Sequence, residues 1–171
     1  MEGRESSERQ AVDGAVESEQ RVALRAPVVE VSATGAKHLG RAYWAEVERA
    51  TRGLVRARVR DASLELRLFG KRPVLLRFGA PKVHASRDLV ACRYPIDGGW
   101  LARRAAGAIT FAQVVGPPTV LRSTIRGFHP RLAARDGEPD WTGALYTQVQ
   151  SRIHVAISRR YFRRLSGEAG R

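Results

Sequence analysis

Apolar and polar positions change their period twice along the chain. From Ala36 to about Arg52 the apolar residues Ala36, Leu39, Tyr43, Val47 and Ala50 recur at steps of three and four. Arg41, Glu46, Glu48, Arg49 and Arg52 fill the rest of the wheel, the mark of an amphipathic helix. Ser32 or Thr34 can cap it and Gly53 can end it, while Gly40 falls inside it as a point where it would split in two. Ahead of the helix, Val28, Val29 and Val31 predict a short strand after Pro27.

Beyond Gly53 the period falls to two. Leu64, Leu66 and Leu68 alternate with Glu65 and Arg67; Val74, Leu76 and Phe78 alternate with Leu75 and Arg77; Val90, Cys92, Tyr94 and Ile96 share one side of the next segment, opposite Arg93. Gly70-Lys71-Arg72-Pro73 and Gly79-Ala80-Pro81 read as turns, and Asp97-Gly98-Gly99 as a tight turn that needs positive φ. Segments 108–115 and 119–128 flank Gly116-Pro117-Pro118 as a hairpin. Strands separated only by short turns predict an antiparallel meander.

The period then lengthens again. From Trp141 to Leu165 no glycine follows Gly143 and no proline occurs, and Leu145, Val149, Ile153, Ile157, Tyr161 and Leu165 succeed one another at steps of four. This predicts a long closing helix whose apolar stripe drifts around its axis, with last turns projecting past the sheet. Residues 1–25 are rich in Glu, Ser, Arg, Gln and Gly and lack aromatics, so they read as a disordered acidic tail. The expected organisation is therefore a tail over 1–25, one α+β domain over 26–166 and a disordered C-terminus over 167–171.

Composition adds bounds. Hydrophobic residues make up 43% and charged residues 27% of the 171, which is ordinary for a globular domain. No apolar run approaches the roughly 18 residues of a membrane span, so no transmembrane segment is expected. The polar N-terminus has no apolar core of a secretory signal, which makes a cytoplasmic location the expectation.

The charge is uneven. Residues 1–30 carry seven acidic groups against four arginines, so the formal +13 of the whole chain is concentrated in the remainder, and only Lys37, Lys71 and Lys82 among the thirty basic residues are lysines. Arginine pairs bidentately with phosphate and carboxylate. Arg67, Arg77, Arg93, Arg122 and Arg126 occupy strand positions opposite the apolar side, which would gather them on the outer face of the sheet; Arg159 and Arg163 cluster on one side of the closing helix. These seven are candidate anion-binding residues for nucleic acid or an acidic protein. At the helix end a simpler reading competes, because cations there suit the C-terminal dipole.

Catalytic motifs do not emerge. His38, His84, His129 and His154 lie on four separate elements without metal-ligand spacing, and Cys92 has no second cysteine, so neither a metal site nor a cofactor is expected. No GxSxG surrounds Ser123 or Ser158, and Gly98-Gly99 fits no phosphate-binding loop. Asp136, Glu138 and Asp140 precede the closing helix, where Asp140 or Thr142 can cap it. His154, mid-helix between Ile153 and Ile157, and His129, beside Pro130 at a strand end, are the polar side chains placed to face an interior or its mouth.

A short strand, a helical segment, antiparallel strands and a long closing helix over roughly 27–165 resemble the SRPBCC or START-like helix-grip superfamily. That resemblance implies a curved antiparallel sheet of about six or seven strands packed on the C-terminal helix. It also implies a cavity for an apolar or amphipathic small molecule, with Leu64, Leu66, Leu68, Val90, Tyr94, Ile109, Phe111 and Ile153 lining core or cavity. Of these, Leu66, Tyr94, Phe111 and Ile153, together with His129, His154 and Trp100, form the candidate ligand set, Trp100 and Trp141 guarding the mouth. The short 53–63 connection departs from the family pattern by reducing its paired small helices. A small-molecule binding domain is the leading expectation, and an electrostatic module for nucleic acid or an acidic partner the alternative. An enzyme of the cyclase or hydratase kind would need His154, His129 or Tyr94 inside the cavity.

Overall fold

The computed structural model describes residues 2–11, 13–131 and 154–167. The helix predicted over 36–52 is α1, Ala33–Ala50, continuous through Gly40 and capped by Ser32, whose hydroxyl accepts the Gly35 N–H at 3.0 Å. Gly40 is there for packing. A Cβ at that position would run into the Tyr94 ring, 2.7 Å from its Cε2, so glycine lets the helix sit directly on the sheet.

The fold is α+β. Nine antiparallel strands form one curved sheet: β1 Glu2–Gln10, β2 Val16–Leu24, β3 Val55–Arg60, β4 Ser63–Leu68, β5 Val74–Phe78, β6 Lys82–Ser86, β7 Leu89–Gly98, β8 Ala108–Val114 and β9 Thr119–Phe128. Their order is β1-β2-β9-β8-β7-β5-β4-β3, with β6 also on β7. The five strands read from alternation between 63 and 128 are all present. The order departs from a plain meander where β2 pairs with β9, and where the long β7 holds β6 on its first half and β5 at its far end, through Phe78↔Ile96 and Arg77↔Gly98.

The nine strands exceed the six or seven expected: β1, β2, β3 and β6 were not read from the sequence, and one expected strand is absent. The segment 2–24, expected as a disordered tail, forms the β1–β2 hairpin, because alternate residues of β2 belong to the core: Ser18, Gln20, Val22 and Leu24 are buried against β9. The signal is weak in sequence, since two of those four residues are polar. The 53–63 connection carries β3, and 82–86 forms β6, whose residues are mostly exposed and so show no apolar alternation. Val28 to Val31 form no strand. The fully buried Gln113 takes over their backbone: its Oε1 accepts from Val28 N at 2.7 Å and Val29 N at 3.1 Å, and its Nε2 donates to Val29 O at 2.8 Å.

Asp97-Gly98-Gly99 is no tight hairpin turn. Gly99, at φ 121°, lies against the backbone of Leu75 and Leu76, where a Cβ would sit 2.5 Å from the Leu75 carbonyl oxygen, and the chain then runs on to β8 through residues 100–107. The closing helix α2 is described over 154–167. Its buried residues are His154, Ile157, Ser158, Tyr161, Phe162 and Leu165: the predicted stripe members Ile157, Tyr161 and Leu165 are among them, and their neighbours widen the stripe to the 3.6-residue period. Its last turns are buried against the core and do not project. The expected helix start at Trp141 and its stripe members Leu145, Val149 and Ile153, with the acidic segment 136–140, lie outside the described residues, as do 168–171.

The core sits between the two helices and the concave face of the sheet. Tyr43 of α1 stacks on Phe111 of β8 at 4.3 Å between centroids and meets Tyr161 of α2 at 5.4 Å; Trp44 meets Phe78 at 4.9 Å and Tyr94 at 5.2 Å. Such aromatic pairs add about 0.5–1.5 kcal/mol each beyond the area they bury.

Candidate functional site

A cavity of about 200 Å³ lies between α1, α2 and the sheet. Tyr43, Trp44, Val47 and Thr51 of α1 form one wall, Leu66, Leu75, Leu76 and Phe78 of β4 and β5 another, and Ile96, Ile109, Ile125 and Phe128 a third, with Leu101, Val55, His154 and Ile157 completing it. The lining is almost wholly apolar. An apolar cavity of roughly 150 Å³ accommodates a benzene-sized molecule, so the space suits a small, largely apolar ligand.

Its polar corner is one hydrogen-bonded pair. His154, 9% exposed, holds the Tyr43 hydroxyl at 2.8 Å through Nδ1, while its Nε2 is buried with no hydrogen-bond partner among the described residues. Burial disfavours the imidazolium and draws the His154 pKa down to about 4; the same desolvation raises that of Tyr43. Both groups are therefore neutral at physiological pH. The free ring nitrogen can meet one hydroxyl or carbonyl of a ligand, but the pair holds no charge for a charged headgroup.

The predicted ligand set separates. Leu66 and His154 line the cavity. Phe111 is fully buried behind it, stacked on Tyr43. Tyr94 faces a different groove, between α1 and the β3–β4 hairpin, with Lys37 and Arg41 among the residues lining it. His129 is buried at the end of β9, where its ring meets Arg104 and lies 3.7 Å from Asp13, so its polar atoms serve a cluster with the β1–β2 turn. Trp100 is 51% exposed and does not line the cavity. Ile153 and Trp141 lie outside the described residues.

Sequence reasoning missed Trp44, Thr51, Leu75 and Phe128. The signals were Trp44 next to Tyr43 on the helix, and the unbroken Val74-Leu75-Leu76 run, which violates alternation because a strand at a cavity edge is half-covered on both sides.

The cationic candidates also divide. Arg67 and Arg77 are spent on Glu65, a buried carboxylate that accepts from Arg67 Nε at 2.7 Å and Arg77 Nε at 3.1 Å; the Arg67 hydrogen bonds lead in holding its pKa below the usual carboxylate range. Arg126 lies 3.8 Å from Glu19, and Arg122 stands opposite Arg21, itself bonded to Glu5. The acidic residues of β1 and β2 thus interleave with arginines expected to form one uniform patch. Arg93 is exposed opposite Lys82. Arg159 and Arg163 are exposed on α2, and Arg163 lines a groove with Arg49, Arg160 and Arg164 around Glu46, which binds Arg49 at 3.1 Å and Arg164 at 3.3 Å. Among the described residues no group of three or more His, Cys, Asp or Glu stands close enough to hold a metal ion, and Cys92 is a buried thiol whose pKa burial raises.

No protein-family profile matches the chain, and no curated protein matches it in sequence. Among solved structures it is similar to Ara h 8.0201, at 14% identity and a TM-score of 0.40 over 87% of this chain and 99% of that one. It is also similar to CalU16 from Micromonospora echinospora, at 14% identity and a TM-score of 0.30 over 98% of this chain and 92% of that one. At these scores the functional reading rests on the site's own geometry.

Proposed function

We propose that this protein is an SRPBCC- or START-like domain that binds a small apolar or amphipathic molecule in the cavity between its sheet and its two helices. One observation carries the reading: an apolar cavity whose lining residues His154 and Trp44 each hold a buried ring nitrogen, Nε2 and Nε1, with no hydrogen-bond partner among the described residues. Interiors are normally close-packed and their polar atoms paired, so a space whose lining carries two spare ring nitrogens favours a ligand with an apolar body and a hydroxyl or carbonyl. A neutral His154–Tyr43 pair supports binding and orientation. Proton transfer near neutral pH finds little support in a histidine shifted so far below its usual range.

Native mass spectrometry of protein purified without added ligand, together with titration of the apolar fluorophore anilinonaphthalene sulfonate, tests the proposal. The expected result is a small-molecule adduct or saturable fluorophore uptake that weakens about tenfold in Leu66→Trp, since a bulky side chain there takes up the space; a tenfold loss corresponds to roughly 1.4 kcal/mol. No adduct and no uptake, or uptake indifferent to Leu66→Trp, contradicts it.

A further inference from the structure

Unpaired cations and exposed large apolar side chains coincide at one end of the molecule, beside half-buried residues of the cavity lining. Thr51, Val55, Leu75 and Leu101 line the cavity and are only half-buried. Leu54 and Trp100, chain neighbours of Val55 and Leu101, are 43% and 51% exposed. Phe69, whose N–H donates to the Leu54 carbonyl at 2.7 Å, is 64% exposed. Trp100 N–H donates to Val74 O at 2.9 Å, and Leu68 N–H to Pro73 O at 3.2 Å, so the three apolar side chains arise from strand ends that adjoin one another.

Around them cations predominate, with Glu65, which pairs with Arg67 and Arg77, opposite Arg58 in the β3–β4 register. Segments 49–60, 66–77 and 98–104 carry eleven arginines and lysines, of which Arg49, Arg60, Arg67, Arg77 and Arg104 pair with carboxylates. Arg52, Arg56, Arg58, Lys71 and Arg72 are exposed, and none pairs with a carboxylate among the described residues. Arg56 and Arg58 cross over Gly70, next to Phe69, with Arg56 Cδ only 3.2 Å from where a Gly70 Cβ would sit.

An exposed Leu, Phe and Trp within a ring of unneutralised cations suit a partner that presents negative charge at its surface and hydrocarbon just beneath. Anionic bilayers offer both: the guanidinium and ammonium groups meet lipid phosphates, while the apolar side chains insert at the headgroup level. A nucleic acid would engage the cations and could stack on the rings, but it offers the aliphatic Leu54 nothing. We propose that this end of the molecule, Leu54, Phe69 and Trp100 ringed by Arg52, Arg56, Arg58, Lys71 and Arg72, docks on the surface of an anionic lipid bilayer with the cavity rim facing the membrane. The docking does not depend on the cavity's taking a ligand, and its test reads out separately from fluorophore uptake.

Vesicle flotation with the full chain tests it, using phosphatidylcholine vesicles with and without phosphatidylglycerol. The protein is expected to float only with the anionic vesicles. Each cation near such a surface contributes roughly fivefold in partitioning, so Arg56→Ser with Arg58→Ser is expected to weaken binding by on the order of twentyfold. Phe69→Ser with Trp100→Ser leaves the charge unchanged and is also expected to weaken it, by about tenfold or more, from the apolar area withdrawn. Lys82→Ser with Arg93→Ser removes two charges elsewhere on the sheet and is expected to leave binding within about twofold; circular dichroism establishes that each variant is folded. The proposal fails if the protein ignores anionic vesicles, or if the Phe69/Trp100 variant binds as well as the parent. It fails equally if a single-stranded oligonucleotide is bound through Arg56 and Arg58 while vesicles are not.

Discussion

His154 is the residue whose chemistry depends most on where the fold puts it. Desolvation brings its folded pKa to about 4, against an unfolded value of about 6.5, so between those pH values the unfolded chain binds a proton that the folded chain refuses. The unfolded state holding more protons, stability rises with pH: the full contribution is present above about 6.5 and is lost as pH falls toward 4. The loss expected on reaching about pH 4 is on the order of 3 kcal/mol. Urea unfolding at about pH 7 and about pH 4.5 reads it, and His154→Gln, which can still bond the Tyr43 hydroxyl, is expected to flatten that part of the slope. His154 was legible in the sequence as an interior candidate from its place beside Ile157. Its partner Tyr43, 111 positions earlier, was visible only as one more apolar-face residue of α1.

At the level of elements, α1 shows how a local rule is reversed by packing. Alanine in place of glycine inside an exposed helix stabilises by about 1 kcal/mol. At Gly40 the added methyl would collide with the Tyr94 ring, so Gly40→Ala is expected to destabilise by about 1–3 kcal/mol, and a thermal melt showing stabilisation would contradict the close helix–sheet approach described above. Helix α1 and the strands β4, β5, β7, β8 and β9 were legible because each has one greasy side and its period is unbroken. Strands β1, β3 and β6 were not, because they lie toward the sheet's margins with few core-facing residues, so hydrogen bonding to a neighbour defines them while burial does not. Gln113 shows the converse, a polar residue in an apolar strand whose purpose became visible only with the backbone of Val28 and Val29 against it.

For the whole molecule, the β1–β2 hairpin turns an apparent tail into part of the core. Val22 is fully buried and Leu24 nearly so, and β2 covers the edge of β9 along eight paired positions from Val16 to Leu24. Removing residues 1–25 is expected to cost about 1.5–3 kcal/mol for each of those two side chains and to bare the β9 edge. A truncated chain should therefore melt well below the full chain by circular dichroism, and an unchanged midpoint would mean that the hairpin is dispensable. The same hairpin redraws the charge map, because Glu5 and Glu19 bring negative charge onto the face that Arg122 and Arg126 share with Arg21. The uncompensated cations gather at the β3–β5 end instead. There Arg56 and Arg58 sit on a strand that alternation alone did not reveal.

Taken by itself, the chain's periodicity determined the class of architecture: one amphipathic helix, a run of half-buried antiparallel strands and a closing helix with an apolar stripe. These are local consequences of which side of each element must leave water. Tertiary structure decided which of the inward side chains border a space and which merely fill the core, that Tyr43 and His154 meet, and which arginines are neutralised. Each of those depends on pairings between residues far apart in the chain, and alternation cannot encode them because a buried position looks the same whether it faces a neighbour or a cavity.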